Sequence, residues 1–115
     1  MGRSYLIDTN AVIDLIAGKF TESGERWVEK IFDTEAVYLS IINRIELLGF
    51  QGSVEEMDAL SSFVKSVTVL PLTEEVANQA IEIRRKKKIK LPDAVIAATA
   101  LVFELTIISR NTKDF

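Results

Sequence analysis

Apolar residues in this chain fall into short unbroken runs separated by longer stretches with helical spacing. Four runs, Ser4 to Asp8, Val37 to Ser40, Val67 to Leu72 and Thr106 to Ser109, predict β-strands. Each is largely apolar rather than alternating, which is the pattern of a strand covered on both faces. Helical patterns separate them, so the pattern predicts an α/β fold: a parallel sheet with helices on both sides.

The helices carry legible start signals. Ser53-Val54-Glu55-Glu56 has the capping-box form, and Met57, Leu60, Phe63 and Val64 follow at helical spacing. Thr73 can cap a helix beginning at Glu74, with Val76, Ala77, Ala80, Ile81 and Ile83 as its inner face. Pro92 suits the first turn of the next helix, which runs to about Leu105 and is apolar nearly all round, hence central. Further helices are expected over Asn10 to Ala17, ended by Gly18, over Gly24 to Phe32 with Trp27, Val28, Ile31 and Phe32 on one side, and over Ile41 to Phe50 after Ser40. The order is βααβααβααβ, and no repeat or Gly/Ser-rich linker marks an internal boundary.

Composition narrows the chemistry. The 115 residues, 48% of them hydrophobic, suffice for one packed core. The absence of cysteine excludes disulfides, thiolate catalysis and zinc-thiolate sites and fits a cytoplasmic protein. The absence of histidine removes the commonest general base and transition-metal ligand, so catalysis must rest on carboxylates, hydroxyls, amines or hard metal ions. The longest apolar run, Ala94 to Phe103 interrupted by Thr99, is about half the roughly 20 residues that cross a bilayer, and the N-terminus lacks a secretory h-region; no membrane association is expected. Net charge is −3, yet six of the fourteen basic residues lie together in Arg84-Arg85-Lys86-Lys87-Lys88 and Lys90.

Several acids stand where the pattern calls for apolar residues. Asp8 ends the first strand, at the carboxyl edge of a parallel sheet where ligands bind; turn or cap chemistry explains it equally well. Glu46 shares a helix face with Ile42, Gly49 and Phe50 and is expected to be partly buried, either in a site or paired with Arg44 or a lysine. Asp93, in the first turn of the central helix, can face the same cleft as Asp8 or simply complement the helix dipole. Asp114 follows the fourth strand, as a fourth acid or as a solvated terminal residue. Three or four converging carboxylates without histidine or cysteine form an oxygen-rich site suited to Mg²⁺ or Mn²⁺, the ions that bind and hydrolyse phosphodiesters.

The segments that carry these acids, "LIDTN" (Leu6 to Asn10), "SIINRIELLGF" (Ser40 to Phe50), "LPDAVIAATAL" (Leu91 to Leu101) and "SRNTKDF" (Ser109 to Phe115), resemble in order and spacing a PIN-domain nuclease, specifically the VapC toxins of toxin–antitoxin pairs. The resemblance implies one PIN domain over residues 1–115, a three-layer fold whose twisted parallel sheet has four or five strands. It also implies a cytoplasmic endoribonuclease that uses Mg²⁺ or Mn²⁺. Asp8, Glu46 and Asp93 would be the first three acids and the metal-binding set. Asp8 and Asp93 would be direct ligands, with Glu46 acting through water or a second ion, while Thr9 and Asn10 shape the pocket and orient Asp8 or a bound water. A cognate VapB-like antitoxin and homodimer formation are implied as well.

Two departures stand out. The family's terminal motif usually opens with Thr and often has an acid where this chain has Asn111; Ser109 supplies the hydroxyl, and the fourth acidic role falls to Asn111 or Asp114. Relatives commonly continue past the position of Phe115 through another short strand, which leaves the C-terminal edge open to truncation. The basic run from 84 to 90 reads either as a phosphate contact for RNA or as a solvated helix end. The competing function is a PIN-like RNA- or protein-binding module that has lost catalysis. A haloacid-dehalogenase-like phosphatase needs a second Asp two residues after the first, and position 10 is Asn.

Overall fold

The computed structural model describes residues 3–109. Its elements are β1 (Ser4–Ile7), α1 (Thr9–Ile16), α2 (Glu22–Thr34), β2 (Ala36–Ser40), α3 (Ile41–Leu48), α4 (Val54–Ser66), β3 (Thr68–Leu70), α5 (Glu74–Lys86), α6 (Leu91–Val102) and β4 (Thr106–Ile108). All strands pair in parallel, in the order β3-β2-β1-β4. The βααβααβααβ order and the parallel sheet therefore stand as the hydrophobic pattern predicts, with four strands among the described residues.

Why these segments become these elements is local chemistry. Ser53 and Glu56 form a reciprocal capping box at the start of α4, and the Thr73 hydroxyl accepts from the Val76 N–H to open α5. Pro92 occupies the first turn of α6, where a missing N–H costs no helix bond. Gly18, at φ 71°, takes the left-handed position just past α1. The helix Gly24 to Phe32 is longer than its apolar face suggests, because Thr21 caps it from Glu22 through its bond to the Gly24 N–H. Helix α6 stops at Val102 rather than near Leu105. A left-handed turn at Glu104 (φ 56°) lets the Leu105 N–H reach the Ala100 carbonyl and the Glu104 N–H the Leu101 carbonyl, reversing the chain into β4.

The sheet is covered on both faces. Tyr5, Ile7, Leu39 and Ile108 pack with Ala11 and Val12 of α1, Ile31 of α2, Leu47 of α3 and Leu60 and Val64 of α4. Val76 and Ala80 of α5 pack with Ala94, Val95 and Ala98 of α6, whose small side chains allow close approach, and Ile42 of α3 joins them. Three residues assigned inward by spacing lie outward instead: Trp27, Met57 and Ile81 are 53%, 45% and 48% exposed. In each case the inner stripe is narrower than the apolar pattern, because one helix contacts its neighbours along a strip that Val28 and Ile31, Leu60 and Val64, or Val76 and Ala80 already fill. Among the described residues no helix is long and apolar enough to cross a membrane.

The fully buried Leu39 on β2 makes a direct test of this core. Leu39→Ala should lower stability by about 2–5 kcal/mol, whereas Leu101→Ala, on the exposed side of α6, should change it by less than about 0.5 kcal/mol. Urea-unfolding midpoints compare the two; equal midpoints would contradict the packing described.

Candidate functional site

Parallel pairing sends every strand's carboxyl end to one edge of the sheet. The pairs Leu6↔Tyr38 and Ile7↔Ile108 fix the register. Extended by two residues along β2 and by one along β4, that register sets Asp8 level with Ser40 on one side and Ser109 on the other. The Asp8 N–H donates to the Ile108 carbonyl at 2.9 Å, holding the row at the β4 side. Strand β1 is followed in space by β2 on one side and by β4 on the other, so the direction of winding reverses between β1 and β4. A crevice opens at such a reversal in open α/β sheets.

Asp8, Thr9, Asn10, Glu46, Lys90, Pro92 and Asp93 line a cavity of about 230 Å³ at this edge. Asp8 and Thr9 come from the β1–α1 junction, Glu46 from α3, and Lys90 and Asp93 from the N-terminus of α6. The three acids named from the sequence thus share one cleft. Asp8 is only 5% exposed, and although it is the N-cap of α1, its side chain makes no capping bond. The cap explanation does not account for it.

Burial pushes the Asp8 carboxyl above the ordinary carboxylate value. The Thr9 N–H opposes that shift; the neighbouring charges of Asp93 and Glu46 reinforce it, and the Ser109 hydroxyl, 3.4 Å from Oδ2, offsets it slightly. Asp8 is therefore an acid held among like charges in a partly desolvated place. Asp93 is half-buried in the first turn of α6.

Glu46 departs from expectation. It is exposed rather than partly buried, and its partner is neither Arg44 nor a lysine: the Thr9 hydroxyl donates to its Oε1 at 2.6 Å. Helix α3 ends at Leu48, its inner face is held by Asn43 and Leu47, and Glu46 falls on the rim. The Thr9 hydroxyl accordingly goes to Glu46, while Asp8 is met by the Thr9 N–H. The fully buried Asn43 does not stand out in the sequence; its Nδ2 donates to the Thr9 hydroxyl at 3.0 Å. The available signal is Ser40-Ile41-Ile42-Asn43, a capping box with Asn in place of Glu or Gln, which the structure forms in full. Among the described residues no buried side-chain nitrogen or oxygen lacks a partner. Asn111 and Asp114 lie outside the described residues.

The basic run divides. Arg85 pairs with Glu82 at 3.4 Å on the exposed surface of α5. Lys86 and Lys87 border a larger cavity, about 550 Å³, walled by Ile83, Ile89, Ala97 and Leu101, which holds no carboxylate or hydroxyl and lies apart from the acids. Of the six cations in the run, only Lys90 lines the acidic cleft.

Among the described residues no group of three or more Asp, Glu, His or Cys side chains is gathered tightly enough to hold a metal ion by itself. The donor set nevertheless fits a hard cation. Mg²⁺ commonly keeps several waters and takes only one or two carboxylates, and the repulsion that raises the Asp8 value is what a cation between Asp8 and Asp93 would relieve.

The sequence model of the PIN domain family matches residues 5–115. Among solved structures, the chain is similar to one in a toxin–antitoxin complex from Klebsiella pneumoniae, with 28% identity, a TM-score of 0.79, and coverage of 96% of this chain and 89% of that one. It is also similar to a chain of VapBC-1 from nontypeable Haemophilus influenzae (26% identity, TM-score 0.77, 97% and 90% covered). A third likeness is to FitAcB from Neisseria gonorrhoeae (28% identity, TM-score 0.68, 96% and 90% covered). No functionally curated protein matches. With four parallel strands in this order, acids gathered at the sheet's carboxyl edge and a family match over nearly its whole length, the chain belongs to the PIN domain family.

Proposed function

We propose that the chain is a Mg²⁺- or Mn²⁺-dependent endoribonuclease, the toxin of a VapBC-type pair, with residues 1–115 acting as one PIN domain. The observation that carries this reading is the meeting of Asp8, Glu46 and Asp93 in one oxygen-lined cleft. The toxin–antitoxin setting of the solved relatives supports the pairing with an antitoxin; a basic antitoxin side chain entering the acidic cleft, and a homodimer, complete the proposal.

Asp8 and Asp93 would hold the cation, and Glu46 would complete the pocket through water. A bound divalent cation supplies positive charge against the phosphodiester and the charge that develops on its oxygens during hydrolysis. The remaining work belongs to the chain. The Lys90 ammonium, at the same cleft, contacts an RNA phosphate and partly offsets the acids' repulsion of the polyanion. Ser109 steadies the Asp8 carboxylate from the β4 side. Glu46, anchored through Oε1, keeps its other oxygen for water or a proton. The fourth acidic role rests with Asn111 or Asp114.

Purified protein should cleave unstructured RNA in Mg²⁺ or Mn²⁺, and EDTA should abolish cleavage. Asp8→Asn and Asp93→Asn should each lower kcat by on the order of 10²–10³-fold. Cleavage that survives EDTA and Asp8→Asn would sink the proposal, and RNA binding without turnover in Mn²⁺ would point to a binding module that has lost catalysis. Lys90→Ala should weaken RNA binding and reduce the salt slope by about 0.7, the share of one single-strand phosphate contact, whereas Lys86→Ala should not.

A second prediction concerns stability without metal. Because the folded-state value of Asp8 is raised above 3.8, folding favours its protonated form. That stabilising contribution is complete below 3.8 and is lost as pH rises through the raised folded-state value, so at neutral pH the ionised carboxylate opposes folding. Asp8→Asn should therefore raise the metal-free Tm at pH 7, each 1 kcal/mol appearing as roughly 3–6 °C for a chain of this size. The gain should shrink at low pH, and saturating Mn²⁺ should stabilise the wild type more than the variant. A lower metal-free Tm for Asp8→Asn would show that the hydrogen bonds of the ionised carboxylate outweigh its burial and repulsion.

A further inference from the structure

Glu46 is exposed, and an exposed glutamate ordinarily samples several rotamers at little cost. In this chain it is tied at one oxygen to a buried polar chain that begins at the start of its own helix. The Asn43 Oδ1 accepts from the Ser40 N–H at 2.9 Å and from the Ser40 hydroxyl at 2.8 Å. The backbone N–H can only donate, and the hydroxyl, which already accepts from the Asn43 N–H at 3.1 Å, donates here. Turning the amide over would set its NH₂ against them, so the capping box dictates that the NH₂ faces the other way, toward Thr9. The Thr9 oxygen thus receives a hydrogen at 3.0 Å, and its single proton is left for Glu46, 2.6 Å away. Ser40 and Asn43 are fully buried, so no water competes for the bonds between them that set the direction of the amide.

We propose that Asn43 is a positioning residue for Glu46, acting through the Thr9 hydroxyl, and that the N-cap of α3 thereby sets the direction of the second acid of the cleft. The proposal deepens the nuclease reading and rests on it for its effect on turnover. Its structural content stands apart: the relay fixes a carboxylate as hydrogen-bond acceptor at a defined place before any cation or RNA arrives.

Two variants break the relay differently. Thr9→Val keeps the shape and removes the hydroxyl. Asn43→Asp keeps the acceptor that caps α3 but replaces the donor, so the Thr9 proton turns to the new carboxylate and away from Glu46. Thr9→Ser restores the hydroxyl and serves as the rescue. Three-bond NMR couplings across χ1 and χ2 of Glu46, measured on the metal-free full chain, read the anchoring directly. Expected are a single Glu46 rotamer in wild type and Thr9→Ser and an averaged one in Thr9→Val and Asn43→Asp. RNA cleavage in Mn²⁺ should show kcat lowered on the order of 10- to 100-fold in the two broken variants while KM stays within about twofold, since phosphate contacts are untouched. Glu46 couplings that are the same in all four proteins would overturn the proposal, as would a KM change without a kcat change. A wild type with a fixed Glu46 that cleaves no RNA would instead count against the nuclease reading and leave the positioning intact.

Discussion

A parallel sheet buried on both faces must deliver all its strand ends to one edge, and most of this molecule follows from that constraint. The first strand carries Asp8 to the edge, the second carries Ser40, the fourth carries Ser109, and the pairing places the three in a row. Helices that cover the sheet begin where those strands end, so α1 and α3 bring Thr9, Asn43 and Glu46 to the same place within their first two turns. Helix α6 arrives there from the other side of the reversal point with Lys90 and Asp93. The acids are far apart in the chain, yet each needs only to sit near a strand end or a helix start to be near the others.

The cleft opposes the fold that builds it. Apolar burial around β1 stabilises the core, but the same burial removes water from Asp8 and lets Asp93 and Glu46 act on it through a poorer dielectric. Around Asp8 and Glu46 the chain compensates with local hydrogen-bond donors. The Thr9 N–H and the Ser109 and Thr9 hydroxyls supply partial positive charge, Lys90 stands at the cleft, and the start of α6 adds the positive end of a helix dipole near Asp93. The Asp8 carboxyl still lies above its ordinary value despite these donors, so its surroundings remain electronegative enough to favour a cation.

How far the sequence can be read follows from the range of its signals. Strand runs, the Ser53 box, the Thr73 cap and Pro92 are local, and they set the element order correctly, with ends displaced by a few residues wherever a turn such as that at Glu104 intervenes. Asp8, Glu46 and Asp93 are legible because each interrupts an apolar pattern. The environment of Glu46 is not, since a helical face drawn from spacing shows which residues align but not how wide a strip the neighbours cover. Asn43 escapes notice for a related reason. Its value lies in a bond to Thr9, 34 residues away, and nothing in the periodicity around Asn43 records that partner.

The buried hydroxyl of Thr9 also bears on how the strands find their alignment. Tyr5, Leu6 and Ile7 are all buried, so a shift of β1 by one residue would exchange one apolar side chain for another and the hydrophobic effect would hardly object. Thr9 and the Ser40–Asn43 pair do object. A shifted β1 would carry Thr9 away from the Asn43 amide and strand a fully buried donor without an acceptor. The polar residues that shape the cleft are thus also the key that selects one strand alignment among several that the core would tolerate.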